Sequence, residues 1–400
     1  MEKCPLEVWL WLLLVMQPNN PKTNQLLSQY GGNATKTSTA IRDENLSCLS
    51  ESEKRRAAET RNGAVQRVLK ICGENGIRII TLDDSEYPPL LREIEDPPIV
   101  LFVKGNLAGL ENELVISAVG TKRPSEYSLS VTDALIGTLS KIGAVIVSGN
   151  ADGLDSAVHR ACINARGRSI AVLPCGLLSD YPKGSQELRS EILENGGALV
   201  SELLPYTKAS IGYFHQRNRI ISGMSLGTIV LQAGDKSGSL ITASLAFEQK
   251  REVFYIPPHD IFSKEYSGAE ILARQNAVPV FGCADIAEVL LKNGSTKTAV
   301  SRKIAEYETV KQPTPRISTN DSKPRKNIEE INNKKSEIPD NLSAEEKTLA
   351  ELIAKAPLDI DALIDKSGLD YETAVGALTV LELSGIITRQ MDGNYIVNSD

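Results

Sequence analysis

Between Ile77 and Pro258, short apolar β-branched runs alternate with stretches of helical spacing. "IRIITL", "IVLFVKG", "ELVISAVG", "AVIVSG", "RSIAVLPCG", "ALVSEL", "GTIVLQAG" and "EVFYIPP" have strand length. "YSLSVTDALIGTLSKIG", "LDSAVHRACINAR", "SQELRSEILENGG", "RNRIISGMS" and "SLITASLAFEQK" lie among them and read as helices or helix starts. A strand that is apolar on both sides has no face for water, so both faces must be covered. Alternation with helices makes that cover a doubly wound, mostly parallel α/β sheet. Ligands on such sheets bind beyond the carboxyl ends of the strands. The loops after Val119, Val147, Leu173, Leu203, Leu231 and Ile256 are therefore the candidate edge.

The flanks differ in texture. Residues 1–75 carry no strand pattern and read as a small helical, SAM-like domain; the sheet domain runs over 76–292. "VWLWLLLVM" (8–16) is far shorter than the ~20 residues a spanning helix needs. Glu2 offsets Lys3, Pro5 intervenes and "QPNNPKTN" follows, so a signal peptide does not fit either. The stretch reads as a buried helix of a cytoplasmic protein, with no membrane partner. Residues 293–342 are polar and locally basic, and are expected to form a disordered linker.

Order returns over 343–400. Ser343 and Glu346 make a capping-box pattern, two further short helices follow, and a hairpin is expected around Asp392-Gly393. Three helices and a hairpin outline a winged helix. Its recognition-helix position, "YETAVGALTVLELSG", holds Glu372 and Glu382 but no Lys or Arg. Duplex readers place cations there, so packing or protein docking is expected instead.

The six cysteines form no CxxC pair and the three histidines are scattered, so neither a disulfide framework nor a metal centre is expected. His159 reads as packing. No P-loop, dinucleotide fingerprint, nucleophile elbow or HExxH is present. No catalytic residue and no cofactor are assigned. The net charge of -7 argues mildly against a nucleic-acid binder, yet a local basic pocket remains compatible with it.

What the edge does offer is donors. "VGTKRPS" joins Gly120 and Thr121 to the cations Lys122 and Arg123, a set that can grip phosphate oxygens. "DYPKGS" adds Lys183. "YFHQRNRIISG" puts Phe214 beside Arg217, Asn218 and Arg219; rings stack bases and cations hold phosphates. Arg219 reads equally well as a structural arginine holding carbonyls. "GDKSGSLITA" opens a helix with Lys236, Ser237 and Gly238, Ser237 as N-cap of an anion nest. In "VSGNADGLDSAVHR", Ser148, Gly149 and Gly153 make a tight strand-to-helix turn, and Asp155 is its N-cap or loop brace.

In this order, "VGTKRPS … VSGNADGLDSAVH … IAVLPCGL…YP … FHQRNRIISGMS … KSGSLITASLAFEQ" closely resembles the DprA/Smf family, as does the lead-in "LDDSEYPPLLREIEDPPIVLFVKGNL". The resemblance implies an extended Rossmann-like domain that binds single-stranded DNA without cleaving it. It also implies protection of incoming strands in natural transformation, help in loading RecA recombinase, and a homodimer. By position, the family's DNA contacts would be Lys122, Lys183, Phe214, Arg217, Asn218 and Lys236. Departures stand out: Gly120-Thr121-Lys122 replaces the usual Gly-Ser-Arg, Asp152 replaces an arginine, His215 a proline and Pro258 a glycine. "SGAEILARQNA" also departs from the family's usual segment after the last strand. Lysine keeps the charge at 122 but not the bidentate fork. The competing reading is a Rossmann-like nucleotide sensor or nucleoside-monophosphate phosphoribohydrolase. Its Pro-Gly-Gly-x-Gly-Thr signature is missing from "LQAGDKSGSLITASLAFE". A protein-docking adaptor built on the winged helix is a third.

Overall fold

The computed structural model describes residues 3–43, 46–292, 342–384, 386–389 and 394–397. Contacts divide the chain into two compact units, Met1–Gln312 and Pro313–Asp400. Almost all of the expected linker, and the Asp392-Gly393 turn, lie outside the described residues.

The first unit opens with α1 (Leu6–Met16), α2 (Pro21–Gln29), α3 (Ala34–Asp43), α4 (Glu51–Glu59) and α5 (Asn62–Glu74). Helix α1 spans only ~16 Å at 1.5 Å per residue. It is buried along most of its length, from Trp9 to Met16. Among the described residues no helix is long and apolar enough to cross a membrane. Then come β1 (Arg78–Thr81), α6 (Pro89–Arg92), β2 (Val100–Gly105), β3 (Val115–Val119), α7 (Glu126–Lys141), β4 (Val145–Ser148), α8 (Leu154–Asn164) and β5 (Ser169–Val172). Next are α9 (Gln186–Glu194), β6 (Ala198–Ser201), α10 (Ile211–Gly223), β7 (Gly227–Val230), α11 (Gly238–Glu248) and β8 (Glu252–Tyr255). The unit's described part closes with α12 (Ser267–Arg274), β9 (Val278–Pro279) and α13 (Cys283–Lys292).

The strands form one nine-stranded sheet in the order β1-β2-β6-β5-β4-β3-β7-β8-β9. From β6 to β9 every pairing is parallel; β1 and β2 are antiparallel additions at one edge. Successive residues of a strand face opposite sides, and the core splits accordingly. Leu101, Val103, Val145, Val147, Val200 and Val230 face one side, against Ile220 of α10, Met224 just after it and Ala243 of α11. The other side is shared. Val100, Phe102 and Leu199 pack with the N-terminal helices, while Ile116, Ile146, Ile229 and Phe254 pack with α7, α8 and α13. The N-terminal helices thus share a continuous apolar core with the sheet, and the expected boundary at residue 75 is no break in packing.

The order of strands places the site. From β3 the chain winds one way through β4, β5 and β6, then returns to lay β7 on the other flank of β3. The gap between β3 and β7 at their carboxyl ends is the topological switch point, where ligands of doubly wound sheets bind.

The second unit has helices Ala344–Lys355, Ile360–Ser367 and Tyr371–Leu383 and the antiparallel pair Ile387–Arg389 with Tyr395–Val397, a winged helix. The capping box of Ser343 and Glu346 is formed. Ala374, Ala377, Leu378 and Leu381 are buried, so much of the apolar surface of the third helix belongs to this unit's own core.

Candidate nucleic-acid interface

Beyond the switch point lies an open cleft of about 570 Å³. Gly120, Thr121, Lys122 and Arg123 from the β3 loop line it on one side, and Ser237, Gly238, Ser239 and Thr242 from the start of α11 on the other. Tyr181 and α10 complete the wall through Ile211, Phe214, His215, Arg217, Asn218 and Ile221.

The β3 loop is fixed by its neighbours. The Thr121 N–H donates to the Gln232 carbonyl at 3.0 Å, and the Ser125 N–H to Gln232 Oε1 at 3.0 Å. The Leu154 N–H donates to the Thr121 carbonyl at 3.1 Å, and the Arg123 N–H to Thr121 Oγ1 at 3.2 Å. With the backbone occupied in this way, the side chains of Lys122 and Arg123 stay exposed. Lys122 Nζ stands 5.0 Å from the centroid of the Phe214 ring, and Tyr181 meets the same ring edge-on at 5.5 Å. Opposite, Ser237 caps α11 by accepting the Ser239 N–H. The first turn of a helix presents unsatisfied N–H groups and a partial positive charge.

Two glycines let the loops close. A Cβ on Gly149 would stand 2.5 Å from Arg217 Nη1 and from Asp155 Oδ2. Gly153 has φ +83°, and a Cβ there would stand 2.5 Å from the Thr121 carbonyl oxygen and 2.6 Å from the Lys122 backbone. The β4–α8 turn therefore supports the β3 loop from below. Ser148 is buried and donates to the Ala118 carbonyl at 2.7 Å, tying β4 to β3.

Several expectations are corrected here. Helix α10 starts at Ile211, so Arg217 lies inside the helix rather than at its start. Its side chain is buried, and Nη1 donates to the carbonyls of Gly149 and Val172. It joins the β4 turn to the end of β5 instead of facing solvent. Arg219 points elsewhere: Nη2 bonds Glu202 at 2.6 Å and Nε donates to Asn19 Oδ1 at 3.0 Å, with Asp96 at 3.7 Å. The carbonyl contacts expected of Arg219 are made by Arg217 instead, and Arg219 is tied to side-chain oxygens. Asp155 is not the N-cap, a place Gly153 occupies; it is the brace, accepting the Ala151 N–H at 3.3 Å. Burial raises the Asp155 carboxyl above its usual range, although Arg217 nearby pulls the other way.

Asn218 lines the cleft and is also buried, its Nδ2 donating to the Gly238 carbonyl at 3.4 Å. Lys183 and Lys236 are exposed in the loops after β5 and β7, outside the cleft wall. His159 is buried, with Nδ1 2.7 Å from Ser169 Oγ. Sequence reasoning missed Tyr181 and Gln232. Each had a faint signal: an aromatic before proline in an edge loop, and an amide directly after a strand.

No disulfide joins the described cysteines, and no group of three or more potential metal ligands gathers among the described residues.

The family model for DNA recombination-mediator protein A matches residues 78–291, and the DprA winged helix domain matches residues 333–393. The DNA processing protein DprA of Bacillus subtilis (strain 168) is 42% identical over 224 residues, covering 56% of this chain and 75% of that protein. Protein Smf of Synechocystis sp. is 30% identical over 331 residues, covering 80% and 79%. The X-ray structure of DNA processing protein A from Streptococcus pneumoniae superposes with a TM-score of 0.62 at 29% identity, over 71% of this chain and 98% of that one. On the edge loops, the switch-point cleft and these matches together, the chain belongs to the DprA/Smf family of DNA recombination-mediator proteins.

Proposed function

We propose that this chain binds single-stranded DNA along the carboxyl edge of its sheet, without cleaving it, and serves DNA processing in natural transformation. On the same reading it protects the incoming strand as a cytoplasmic homodimer and passes it to RecA recombinase. One observation carries the binding: an exposed lysine stands over a half-buried ring, beside a helix start, at the switch point. Phosphates take Lys122, Arg123 and the amides of α11; a base takes the Phe214 ring, with Tyr181 behind it. Stacking needs an unpaired base, which a duplex does not offer. The attraction is local, because the whole chain is acidic. The names of the B. subtilis and S. pneumoniae relatives, DNA processing proteins, support the assignment.

Anisotropy of a labelled oligonucleotide across a salt series tests this. Log K is expected to fall with log salt at about −0.7 per phosphate neutralised, with single strands preferred over duplex. A salt-independent affinity, or no retention at low salt, overturns it. Hand-over is tested by RecA nucleation on the bound strand, which should speed up. The cleft's volume and the buried Asp155 favour one second reading, a mononucleotide site. Release of free base from a nucleoside monophosphate would put that reading first.

A further inference from the structure

Phe262 is 89% exposed and Ile261 76% exposed, in the loop that follows β8. That loop leaves the sheet at the same carboxyl edge as the β3 and β7 loops. Strand β8 lies four spacings from β5, whose loop carries Tyr181, or ~19 Å along the edge at about 4.8 Å per spacing.

The loop is built, not hanging. Tyr266, 3% exposed, bonds through its hydroxyl to Ser125 Oγ and, at 3.1 Å, to Ser128 Oγ at the start of α7. The Asp235 N–H donates to Ser267 Oγ at 2.9 Å, and the Gly268 N–H to the Ala233 carbonyl at 2.9 Å. Asp260 Oδ1 accepts the N–H of Phe262 itself at 2.8 Å. The β8 loop is thus tied to both loops that flank the switch point, and it holds an aromatic ring in water on a fixed turn. Large apolar groups held out in this way mark contact surfaces.

We infer that Phe262 is a second stacking platform for the strand, at the far end of the edge from Phe214. This rests on the single-strand reading above. The occupant is a base rather than a phosphate. The β7 and β8 loops set exposed Lys236 and Lys264 against exposed Asp235, Asp260 and Glu265, so a phosphate gains little there. The uncharged face of a base meets no such opposition. Phosphates collect at Lys122 and Arg123, and bases at the two rings. Phe281, 83% exposed, lies one strand further on; Asp285 accepts its N–H and that of Gly282.

The test uses the full chain and a single-stranded oligonucleotide long enough to span the edge. Phe262→Ala is expected to weaken binding about tenfold with the salt slope unchanged, because no phosphate contact is lost. Phe281→Ala should stay within about twofold. The native tryptophans, Trp9 and Trp11, are buried, so Phe262→Trp adds a distinct exposed indole whose emission the oligonucleotide should quench. Wild-type affinity in Phe262→Ala overturns the assignment, as does an equal loss in Phe281→Ala. Quenching of Phe262→Trp by raised protein concentration alone, without DNA, also overturns it and gives the face to a second copy. A wild-type chain that binds no oligonucleotide overturns the single-strand reading itself, and this assignment with it.

Discussion

Lys122 and Arg217 approach the same ring from opposite environments. Lys122 Nζ is 5.0 Å from the Phe214 centroid and Arg217 Cζ is 5.9 Å, yet the lysine is exposed and the arginine is 5% exposed. The rim of the cleft carries wet charge; its floor carries dry charge fixed by carbonyls, near a buried carboxyl. Both are cations in edge motifs, but they do different work. A wet cation can exchange water for phosphate at small cost. A dry one is already committed, and moving it exposes the groups it satisfies. The floor therefore shapes the site, and on the proposed reading the rim is what binds.

The largest expected effect is on the floor. Arg217→Ala frees the buried carbonyls of Gly149 and Val172 and removes the charge that partly offsets the burial of Asp155, a loss of about 2–4 kcal/mol. Denaturant unfolding should show it as a much lower midpoint. An unchanged midpoint, with weaker DNA binding, would move Arg217 to the rim and break the comparison.

His159 probes the same floor through pH. Burial, with Arg217 adding to it, lowers this imidazole to about 3. The unfolded chain, near 6.5, binds the proton first as pH falls. The neutral form's contribution to stability is complete above about pH 6.5 and is lost on descent toward pH 3, at about 1.4 kcal/mol per unit. Unfolding midpoints measured between those limits should fall less steeply in His159→Gln. Parallel slopes would mean that His159 is reached by water in the fold.

On the rim, Lys122→Ala should weaken oligonucleotide binding about five- to tenfold and reduce the salt slope by about 0.7, one phosphate contact. The unfolding midpoint should not move. A shifted midpoint with the slope intact would make Lys122 a structural residue.

The smallest effect sharpens the rim. Asp152 is exposed in the β4–α8 turn, next to Gly153, which packs under the Lys122 backbone. Asp152→Arg should tighten binding by about two- to threefold, a screened surface-charge effect. Unchanged or weaker binding would place this turn off the strand's path.

Much of the fold was legible in the sequence. Strand runs apolar on both faces leave few alternatives to a covered parallel sheet, and the loops named from them did meet at one edge. Ser237 was readable as a cap because hydroxyl, glycine and apolar helix follow in order. Arg217 and Arg219 were not separable, since "RNR" gives no sign of which way each side chain turns. Positions two apart on a helix point about 200° apart. One guanidinium therefore reaches Gly149 and Val172 while the other reaches Glu202 and Asn19. Tyr181 and Gln232 were passed over because their partners are distant in the chain.

Sequence alone determined the alternation of strands and helices, the edge where ligands belong, the winged helix and the family. These follow from periodicity and from local motifs, which act over a few neighbouring residues. Only the tertiary structure decided which cations are wet and which dry, and that α10 carries its arginines inward. It also decided that the β8 loop is pinned to Ser125 with Phe262 held in water. Burial and pairing are properties of surroundings assembled from residues far apart in the chain, and no local stretch of sequence encodes them.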